Sequence, residues 1–419
     1  MPQSILQLDS KHPYGVHNLP YGVFSIRDQA PHLCVAIGDY VCDLHQLSQS
    51  VDLGTEAWRF QQGSLSPILN QDKQTWSNIR KQLQNILAPN SSVVNAASDL
   101  SDRCFFKRED VVMHMPWQIG DYTDFYASIE HAKNVGSMFR DKDNPLLPNW
   151  RHLPVGYHGR ASSIVISHTP IRRPRGQVIP PGAKAPQLCA SQRLDFELEL
   201  GCVIGGQSKL GQPITIEEAP QHIFGVVLVN DWSARDIQKW EYQPLGPFVS
   251  KSFATSISPW VVTMEALESF RCPGPTQEPM PLDYLRTPST EQAQSHLDLS
   301  LSVSLQSQHM QQPQEIVSVN SKSLYWSFAQ MITHHTITGC NLNPGDLIAS
   351  GTISGTKQSA YGSMLELAWG GKHPLVLANQ EQRSFLADGD TIEFTGYAEN
   401  TDLRVGLGCC TGTISPALV

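Results

Sequence analysis

The residues best suited to chemistry lie in one short run, Leu194–Gly201. Apolar and acidic residues alternate through it, which is the period-two pattern of a half-buried β-strand. Asp195, Glu197 and Glu199 would then share one face, with the Cα atoms of successive members roughly 6.6 Å apart. Two carboxylates about 5 Å apart repel by roughly 3 kcal/mol at an effective dielectric constant near 20, and a bound cation would relieve that repulsion. The alternative is the solvated outer face of an antiparallel strand.

Two further carboxylates are candidates to join this pair. Asp231 directly follows Ile223–Asn230, an apolar run of strand length, and Asp124 lies in a tyrosine-rich loop ahead of a predicted helix. Oxygen ligands select hard ions such as Ca²⁺, Mg²⁺ or Mn²⁺, and four carboxylates are more than Mg²⁺ usually takes but suit Ca²⁺. Taken singly, Asp231 could instead cap a helix, and Asp124 could be a turn residue.

His131 is the best candidate for a general base. An unperturbed imidazole titrates near pH 6.5, so it can take a proton at neutral pH. His131 lies seven residues after Asp124 in the same short segment. A working base needs a partner that fixes its tautomer, and Glu366 is a candidate, although the sequence alone does not pair the two. The alternative is a structural histidine.

A run of hydrogen-bond donors follows the apolar strand. A helix capped by Ser233 and running to about Trp240 would place Arg235 and Gln238 on one face, three residues apart. Together with Lys251 they would suit a substrate that carries a carboxylate and develops enolate charge. The alternative is an ordinary amphipathic helix with an exposed arginine.

The composition excludes several other functions. The chain has 419 residues, 40% hydrophobic and 16% charged, as in an ordinary globular protein with room for two or three domains. A net charge of −9 argues against a nucleic-acid-binding surface. The motifs GxSxG, HExxH, GxxxxGK[ST] and a helix-opening GxGxxG are absent. Their absence disfavours serine hydrolases, zinc proteases, nucleotide hydrolases and dinucleotide enzymes.

The cysteines and the N-terminus indicate the compartment. Nine scattered cysteines without CxxC spacing predict reduced, mostly buried thiols. Met1–Asp9 lacks the basic region and apolar core of a signal peptide. No apolar run approaches the ~18 residues that span a membrane. We therefore expect a cytoplasmic protein without a membrane partner.

The positioning elements are predicted to be mostly strands. Residues 1–118 are interpreted as a small β-barrel-like domain with added helices, including a strand–turn–strand at Gly38-Asp39 and a helix with an apolar stripe from Trp76 to Ile86. Residues 119–419 are interpreted as a strand-dominated domain. It would hold an amphipathic strand over Leu297–Leu305, a helix that follows the loop-like start of 120–131 and runs to about Phe139, and a helix over about 323–335. The predicted fold is mainly β, of the α+β type.

Several segments together closely resemble the fumarylacetoacetate hydrolase family. They span most of the chain and occur in the family's order. The Glu-x-Glu strand and the Asp-Trp-Ser-x-Arg-Asp run mark the wider superfamily, whereas the HGRASS and GSMLEL runs are more specific. The matching segments are 120–126, 131–136, 156–163, 194–201, 230–236, 350–355 and 362–367.

The resemblance implies a fold, an activity and cofactors. The fold would be an SH3-like N-terminal barrel followed by a mixed β-roll catalytic domain, usually in a homodimer. The activity would be metal-dependent hydrolysis of the C–C bond of 4-fumarylacetoacetate, giving fumarate and acetoacetate, the last step of tyrosine and phenylalanine catabolism. The alternatives are an acylpyruvate hydrolase or oxaloacetate decarboxylase of the same superfamily, or a non-catalytic Ca²⁺-binding relative.

The resemblance also implies roles for individual residues. The ligands of a primary Ca²⁺ would be Asp124, Glu197, Glu199 and Asp231. The residues of a second, Mg²⁺ site would be Asp231, Trp232, Lys251, Ser252 and Thr255. The substrate would be held by Tyr126, Arg140, Tyr157, Gln238, Tyr242 and Thr352. Glu366 would orient His131 to activate water, and the oxyanion would be stabilised by Arg235, Gln238 and Lys251. Ser252 stands where the family is expected to have glycine, which makes the second ion site less certain.

Overall fold

A computed structural model describes residues 8–27, 29–51, 53–89, 91, 103–288 and 294–418. In its N-terminal part, five strands form one antiparallel sheet in the order β4-β3-β2-β1-β5. They are β1 (Tyr21–Ser25), β2 (His32–Ile37), β3 (Tyr40–Asp43), β4 (Phe105–Lys107) and β5 (Val112–His114). The predicted two-residue turn joins β2 to β3, where Ile37 pairs with Tyr40 and Gly38 adopts a φ of 56°.

Helices cover this sheet: α1 (Leu44–Ser50), α2 (Ser66–Leu69) and α3 (Lys73–Leu87). Helix α3 is the predicted amphipathic helix, and its stripe of Trp76, Ile79, Leu83 and Ile86 is buried. It begins where the Asp72 carboxylate accepts a hydrogen bond from the third backbone N–H of the helix at 2.8 Å.

The remainder of the described chain contains β6 (Tyr122–Phe125), β7 (Gly156–His158), β8 (Ile164–Ile166), β9 (Ile171–Arg172), β10 (Arg175–Val178), β11 (Gln187–Ala190), β12 (Leu194–Asp195), β13 (Leu198–Ile204), β14 (Ile223–Asn230), β15 (Ser233–Ala234), β16 (Thr255–Ile257), β17 (Val262–Thr263), β18 (Arg271–Cys272), β19 (His296–Leu297), β20 (Ser300–Gln306), β21 (Gln314–Asn320), β22 (Leu347–Ala349), β23 (Leu375–Val376), β24 (Gln382–Arg383), β25 (Thr391–Glu399) and β26 (Arg404–Ser415). Its helices are α4 (Ile129–Phe139), α5 (Arg235–Glu241), α6 (Phe328–Thr336) and α7 (Met364–Leu367). Strands prevail, so the predicted mainly β fold of the α+β type is confirmed.

Two sheets dominate this part. One has the order β7-β6-β22-β13-β14-β16-β8, with β17 paired to β14, and the other has the order β21-β20-β25-β26-β9. Strand β13 lies near the middle of the first sheet and is covered on both faces. Leu200 packs into the core shared with the second sheet, and Val203 packs into the core shared with the N-terminal sheet. A strand covered on both faces leaves its acidic residues no solvated face.

The run Leu194–Gly201 is not one continuous strand, as its alternation had predicted. It breaks at Phe196 and Glu197 into β12, which pairs with β15, and β13, which pairs with β14 and β22. The predicted cap of the following helix was also wrong. Ser233 is held extended by its pairing with Asp195, and α5 begins at Arg235 without a side-chain cap.

Helix α6 also starts later than predicted. Residues 321–323 form a separate 3₁₀ turn, and α6 begins at Phe328 after a capping box between Ser327 and Gln330. No helix in the described part of the chain has the length and apolarity needed to cross a bilayer. All nine cysteines are free, and five of them are buried, as the sequence had predicted.

Candidate metal centre and active site

Strand pairing brings the acidic residues together at one end of the larger sheet. Asp124 in β6 lies beside Ala349 in β22, which in turn lies beside Gly201 in β13. Glu199 lies two residues from Gly201 on the same face of β13, and Asp231 immediately follows β14.

The four expected carboxylates meet at this end of the sheet. Asp124, Glu197, Glu199 and Asp231 each offer an oxygen, and these oxygens lie within 4.8 Å of one another. All four residues are buried, at 4%, 5%, 0% and 0% exposure. The alternative of a solvated strand face is therefore wrong. Asp124 lies inside a strand rather than a turn, and Asp231 caps no helix.

Three oxygens of the cluster have no hydrogen-bond partner among the described residues. Within the described residues, Oδ1 of Asp124 and both oxygens of Glu199 are buried without a hydrogen bond. Burial, and then the nearby Asp231 carboxylate, raises the pKa of Asp124 well above its usual value. Burial, and then Asp124 and Asp231, does the same to the pKa of Glu199. Unpartnered buried oxygens that repel one another fit a hard divalent cation, so the cluster could hold a metal ion.

The other two carboxylates are paired with cations. Lys251 Nζ contacts Glu197 Oε2 closely and lies 2.7 Å from Asp231 Oδ2, and Arg235 Nη2 lies 2.7 Å from Glu197 Oε1. Burial alone would raise the pKa of Glu197, but Lys251 and Arg235 hold that pKa below its usual value. Four carboxylates thus have only two cationic side chains, Lys251 and Arg235, within hydrogen-bond distance. When all four are ionised, the cluster carries an excess of negative charge that a divalent cation would offset.

The residues expected at a second ion site surround Asp231. Thr255 Oγ1 donates a hydrogen bond to Asp231 Oδ1 at 2.7 Å, and Lys251 donates to Oδ2. Trp232 is fully buried, with its indole N–H donating to Ser256 Oγ at 2.8 Å. The Ser252 hydroxyl instead donates to the Phe248 carbonyl oxygen at 2.8 Å. Ser252 is not among the residues with positive φ, so its backbone is one that serine adopts readily.

The structure pairs His131 with Glu366. His131 lies in the first turn of α4, and its Nδ1 is 2.6 Å from Glu366 Oε2. Both side chains are buried, at 3% and 1% exposure. Burial alone would raise the pKa of Glu366, but His131 and the hydrogen bonds around the carboxylate hold that pKa below its usual value. An ionised Glu366 keeps the imidazole proton on Nδ1, which leaves Nε2 to act as a base.

The expected substrate residues divide into an inner group, near His131 and Asp231, and an outer, exposed group. The Tyr126 ring lies against His131, with centroids 5.2 Å apart, and the Tyr157 hydroxyl donates to Asp231 Oδ2 at 2.6 Å. Gln238 Oε1 accepts a hydrogen bond from Arg235 Nη1 at 3.1 Å.

Thr352 also belongs to this inner group, because its hydroxyl is buried and has no hydrogen-bond partner among the described residues. Arg140 and Tyr242 form the outer group. Both are exposed; the Arg140 guanidinium donates to the Pro145 carbonyl oxygen, and the Tyr242 hydroxyl accepts a hydrogen bond from the amide of Gln243.

Sequence reasoning missed the residues that hold the Glu366 carboxylate in place. Asn134, Ser354 and Ser363 donate to the Glu366 carboxylate at 2.8, 2.9 and 2.8 Å. Asn134 lies three residues after His131, a helical spacing that could have indicated a shared face. Asp195 was placed on the acidic face, but it binds Arg235 Nε at 2.7 Å instead of joining the cluster. The strand breaks directly after Asp195, and alternation alone gave no sign of that break.

Residues 121–415 match the family described as fumarylacetoacetate (FAA) hydrolase C-terminal, and residues 17–116 match fumarylacetoacetase N-terminal. With a mainly β fold that gathers four buried carboxylates beside a histidine–glutamate pair, the chain belongs to the fumarylacetoacetate hydrolase family.

Similar proteins have more particular names. The fumarylacetoacetase of Homo sapiens is 50% identical over 418 residues, which cover 98% of each chain. That of Dictyostelium discoideum is 48% identical over 427 residues, covering 99% of this chain and 98% of the relative. Among solved structures, fumarylacetoacetate hydrolase from psychrophilic Exiguobacterium antarcticum aligns with a TM-score of 0.53 at 17% identity. That alignment covers 95% of this chain and 99% of the other, a likeness of fold.

Proposed function

We propose that the chain hydrolyses the C–C bond of 4-fumarylacetoacetate to give fumarate and acetoacetate, a step that ends tyrosine and phenylalanine catabolism. The observation that carries the proposal is that the His131–Glu366 pair lies beside the carboxylate cluster, since Ser363 pairs through its backbone with Glu197 and donates a hydrogen bond to the Glu366 carboxylate. Relatives 43–50% identical over nearly the whole chain and named fumarylacetoacetase support this substrate over an acylpyruvate or oxaloacetate.

A divalent cation in the cluster belongs to this proposal. Asp124, Glu197, Glu199 and Asp231 would hold Ca²⁺, since four carboxylates suit that ion. A second ion, Mg²⁺, would be held beside Asp231 by Trp232, Lys251, Ser252 and Thr255. When bound, such a cation supplies Lewis-acid polarisation of ketone oxygens.

Within the proposal, His131 and Glu366 generate the nucleophile. Glu366 accepts the Nδ1 proton of His131 in a 2.6 Å hydrogen bond and so fixes the tautomer. Nε2 of His131 then takes a proton from water, and the hydroxide adds to the carbonyl carbon of the diketone. The same imidazolium can return the proton to the carbon leaving group after the C–C bond breaks.

Arg235, Gln238 and Lys251 are proposed to stabilise the negative charge that develops on the oxyanion. Arg235 is fixed through Nε and Nη2, and its third nitrogen, Nη1, faces Gln238 at 3.1 Å. Burial lowers the pKa of Lys251, but Asp231 and Glu197 outweigh it and raise that pKa, so Lys251 stays charged. Cations held rigidly in a buried site stabilise developing charge without reorganisation.

The proposed substrate contacts are those implied by the family. They are Tyr126, Arg140, Tyr157, Gln238, Tyr242 and Thr352. The unpartnered hydroxyl of Thr352 supports its role most directly, because a ligand oxygen would satisfy it. We further propose a boundary near residue 118 between an SH3-like domain and a β-roll catalytic domain, a homodimer, and a cytoplasmic location. The family matches over residues 17–116 and 121–415 support the boundary.

A comparison of substrates tests the proposed function. Purified protein in Ca²⁺ would be assayed with fumarylacetoacetate, with an acylpyruvate and with oxaloacetate, and products would be quantified by chromatography. We expect fumarate and acetoacetate in equal amounts, with kcat/KM at least ~10²-fold above that for the other two substrates. Preferential cleavage of an acylpyruvate or decarboxylation of oxaloacetate would contradict the proposal. Tight Ca²⁺ binding without turnover of any substrate would indicate a binding protein.

A further inference from the structure

Asp195 connects the two halves of the proposed site. It is fully buried, and its carboxylate accepts three hydrogen bonds. Oδ1 accepts from the Met364 backbone N–H at 2.7 Å, and Oδ2 accepts from the Leu365 N–H at 3.1 Å and from Arg235 Nε at 2.7 Å. No oxygen of Asp195 belongs to the carboxylate cluster.

Each of these bonds leads to a group with a proposed chemical role. Met364 and Leu365 are the first two residues of α7, and Glu366 is the third. The Glu366 N–H is bound by Ser363 Oγ at 3.3 Å, so Asp195 and Ser363 together satisfy the first three N–H groups of this short helix. On its other side, Arg235 continues to Glu197 through Nη2 at 2.7 Å.

We propose that Asp195 is a positioning residue. It fixes the position of helix α7, which carries Glu366, relative to the Arg235 guanidinium. It thereby aligns the base with the charge that stabilises the oxyanion. This inference rests on the proposed function. A carboxylate suits the position because all three partners are donors and an ionised carboxylate only accepts. An asparagine would turn an NH₂ group toward at least one of them.

The test compares Asp195→Asn with a matched control, Asp390→Asn. Asp390 is also fully buried, and it accepts hydrogen bonds from Arg383 at 2.8 and 3.0 Å and from the Ala387 N–H at 2.8 Å. Both variants should unfold at lower temperature. Only Asp195→Asn should lower kcat, by about 10–100-fold with a smaller change in KM, as for other groups that orient catalytic residues. Equal losses of Tm with wild-type kcat in both variants would overturn the proposal.

A double-mutant cycle separates positioning from general weakening. If Asp195 acts through the base, Asp195→Asn should lower kcat several-fold less in a Glu366→Gln background than in wild type. Effects that multiply would contradict the inference.

If Asp195→Asn yields no folded protein, Met364→Pro is compared with Met364→Ala. Proline removes one of the three donors at the first helical position, and the preceding Ser363 is already extended (φ −147°, ψ 154°). The proline variant should then have the lower kcat, and equal kcat values would contradict the inference.

A spectroscopic measurement keeps the inference separate from the proposed function. The Nδ1 proton of His131, bound to Glu366 across 2.6 Å, should give a downfield proton resonance that is missing in His131→Ala. Asp195→Asn should shift or broaden this resonance, and Asp390→Asn should not. If wild type fails to cleave fumarylacetoacetate but this difference is seen, only the proposed substrate is wrong. If the resonance is the same in all folded variants, Asp195 does not position the pair.

Discussion

Two buried carboxylate sites in this chain use similar residues in opposite ways. At the turn before β25, both oxygens of Asp390 are bound by Arg383 and one also by the Ala387 N–H. At the end of the larger sheet, both oxygens of Glu199 are buried and lack a hydrogen bond to any described residue. The first arrangement is that of a buried carboxylate paired with a half-buried arginine. The second arrangement is energetically unfavourable until a cation binds beside the Glu199 carboxylate.

The histidine–carboxylate pairs show a similar contrast. His32 in the N-terminal sheet lies 2.7 Å from Asp43, and His131 lies 2.6 Å from Glu366. The His32 side chain is 29% exposed and its partner caps α1, whereas the His131 side chain is 3% exposed beside the carboxylate cluster. The two pairs share one chemistry but differ in their surroundings, and this difference is why we propose His131 rather than His32 as the base.

The largest expected effect is the loss of the base. His131→Ala should lower kcat by about 10³-fold, within the range typical of a general base, because the variant lacks the imidazole that is proposed to take the proton from water. The matched control, His32→Ala, removes an equivalent pair from the N-terminal sheet and should leave kcat within about twofold of wild type. Fumarate release under saturating substrate measures both. Similar kcat values for the two variants would remove the distinction between the pairs.

The second prediction is that neutralising Glu199 and neutralising Asp390 change the free energy of unfolding in opposite directions. In chelator-treated protein at pH 7, Glu199→Gln should raise the free energy of unfolding by about 1 kcal/mol or more, since each unit of raised pKa is worth about 1.4 kcal/mol. The amide can also donate to the unpartnered Asp124 oxygen. Asp390→Asn should lower the same free energy by about 1–3 kcal/mol, because it removes the charge from the hydrogen bonds to the half-buried Arg383, which keeps Glu381 as its ionised partner. Urea unfolding of both variants measures these changes.

The pH dependence of the Glu199→Gln difference follows from the raised pKa of Glu199. In wild type, the stabilising contribution of the protonated carboxyl is complete below the unfolded pKa near 4.3 and is lost as the pH rises through the folded value. Glutamine does not titrate, so the advantage of the variant should grow with rising pH. With saturating Ca²⁺ the order should reverse, because only wild type gains the binding energy. A variant less stable than wild type without metal would contradict the comparison.

The smallest expected effect is at Ser252, where the chain departs from the glycine expected for the family. Its hydroxyl binds the Phe248 carbonyl oxygen, and its backbone needs no positive φ. Ser252→Gly should therefore change kcat by less than about twofold, and it should lower Tm slightly through the extra freedom of the unfolded chain. A Mg²⁺ dependence that changes markedly in Ser252→Gly would show that the side chain contributes to the second site.

Much of the site could be anticipated from the sequence. Strand-length apolar runs located β14 and hence Asp231, and the alternation around Glu197 predicted two carboxylates on neighbouring positions. These residues come close to Asp124 only because the strands pair in the order β6-β22-β13-β14. In this order β22 lies between β6 and β13, although it begins more than 140 residues after β13 ends. Local patterns do not encode such pairing, so the resemblance to the family supplied it.

Other features could not be anticipated, for identifiable reasons. The strand containing Glu197 was expected to be continuous, but Asp195 pairs with Ser233 and Leu198 with Asn230 in two different sheets. The same pairing converted the predicted helix cap at Ser233 into a strand. In both cases tertiary pairing overrode a local preference. Burial on both faces was equally hidden, because acidic residues in alternation are more typical of a solvated face.

The most direct measurement is turnover of fumarylacetoacetate after removal and return of the cation. Protein dialysed against a chelator would be assayed for fumarate release, titrated with Ca²⁺, and assayed again, with Glu199→Gln treated in parallel. We expect the dialysed wild type to lose activity and to regain it as Ca²⁺ binds, while Glu199→Gln stays inactive at the same concentrations. Full turnover of wild type in excess chelator would contradict a cation held by the carboxylate cluster.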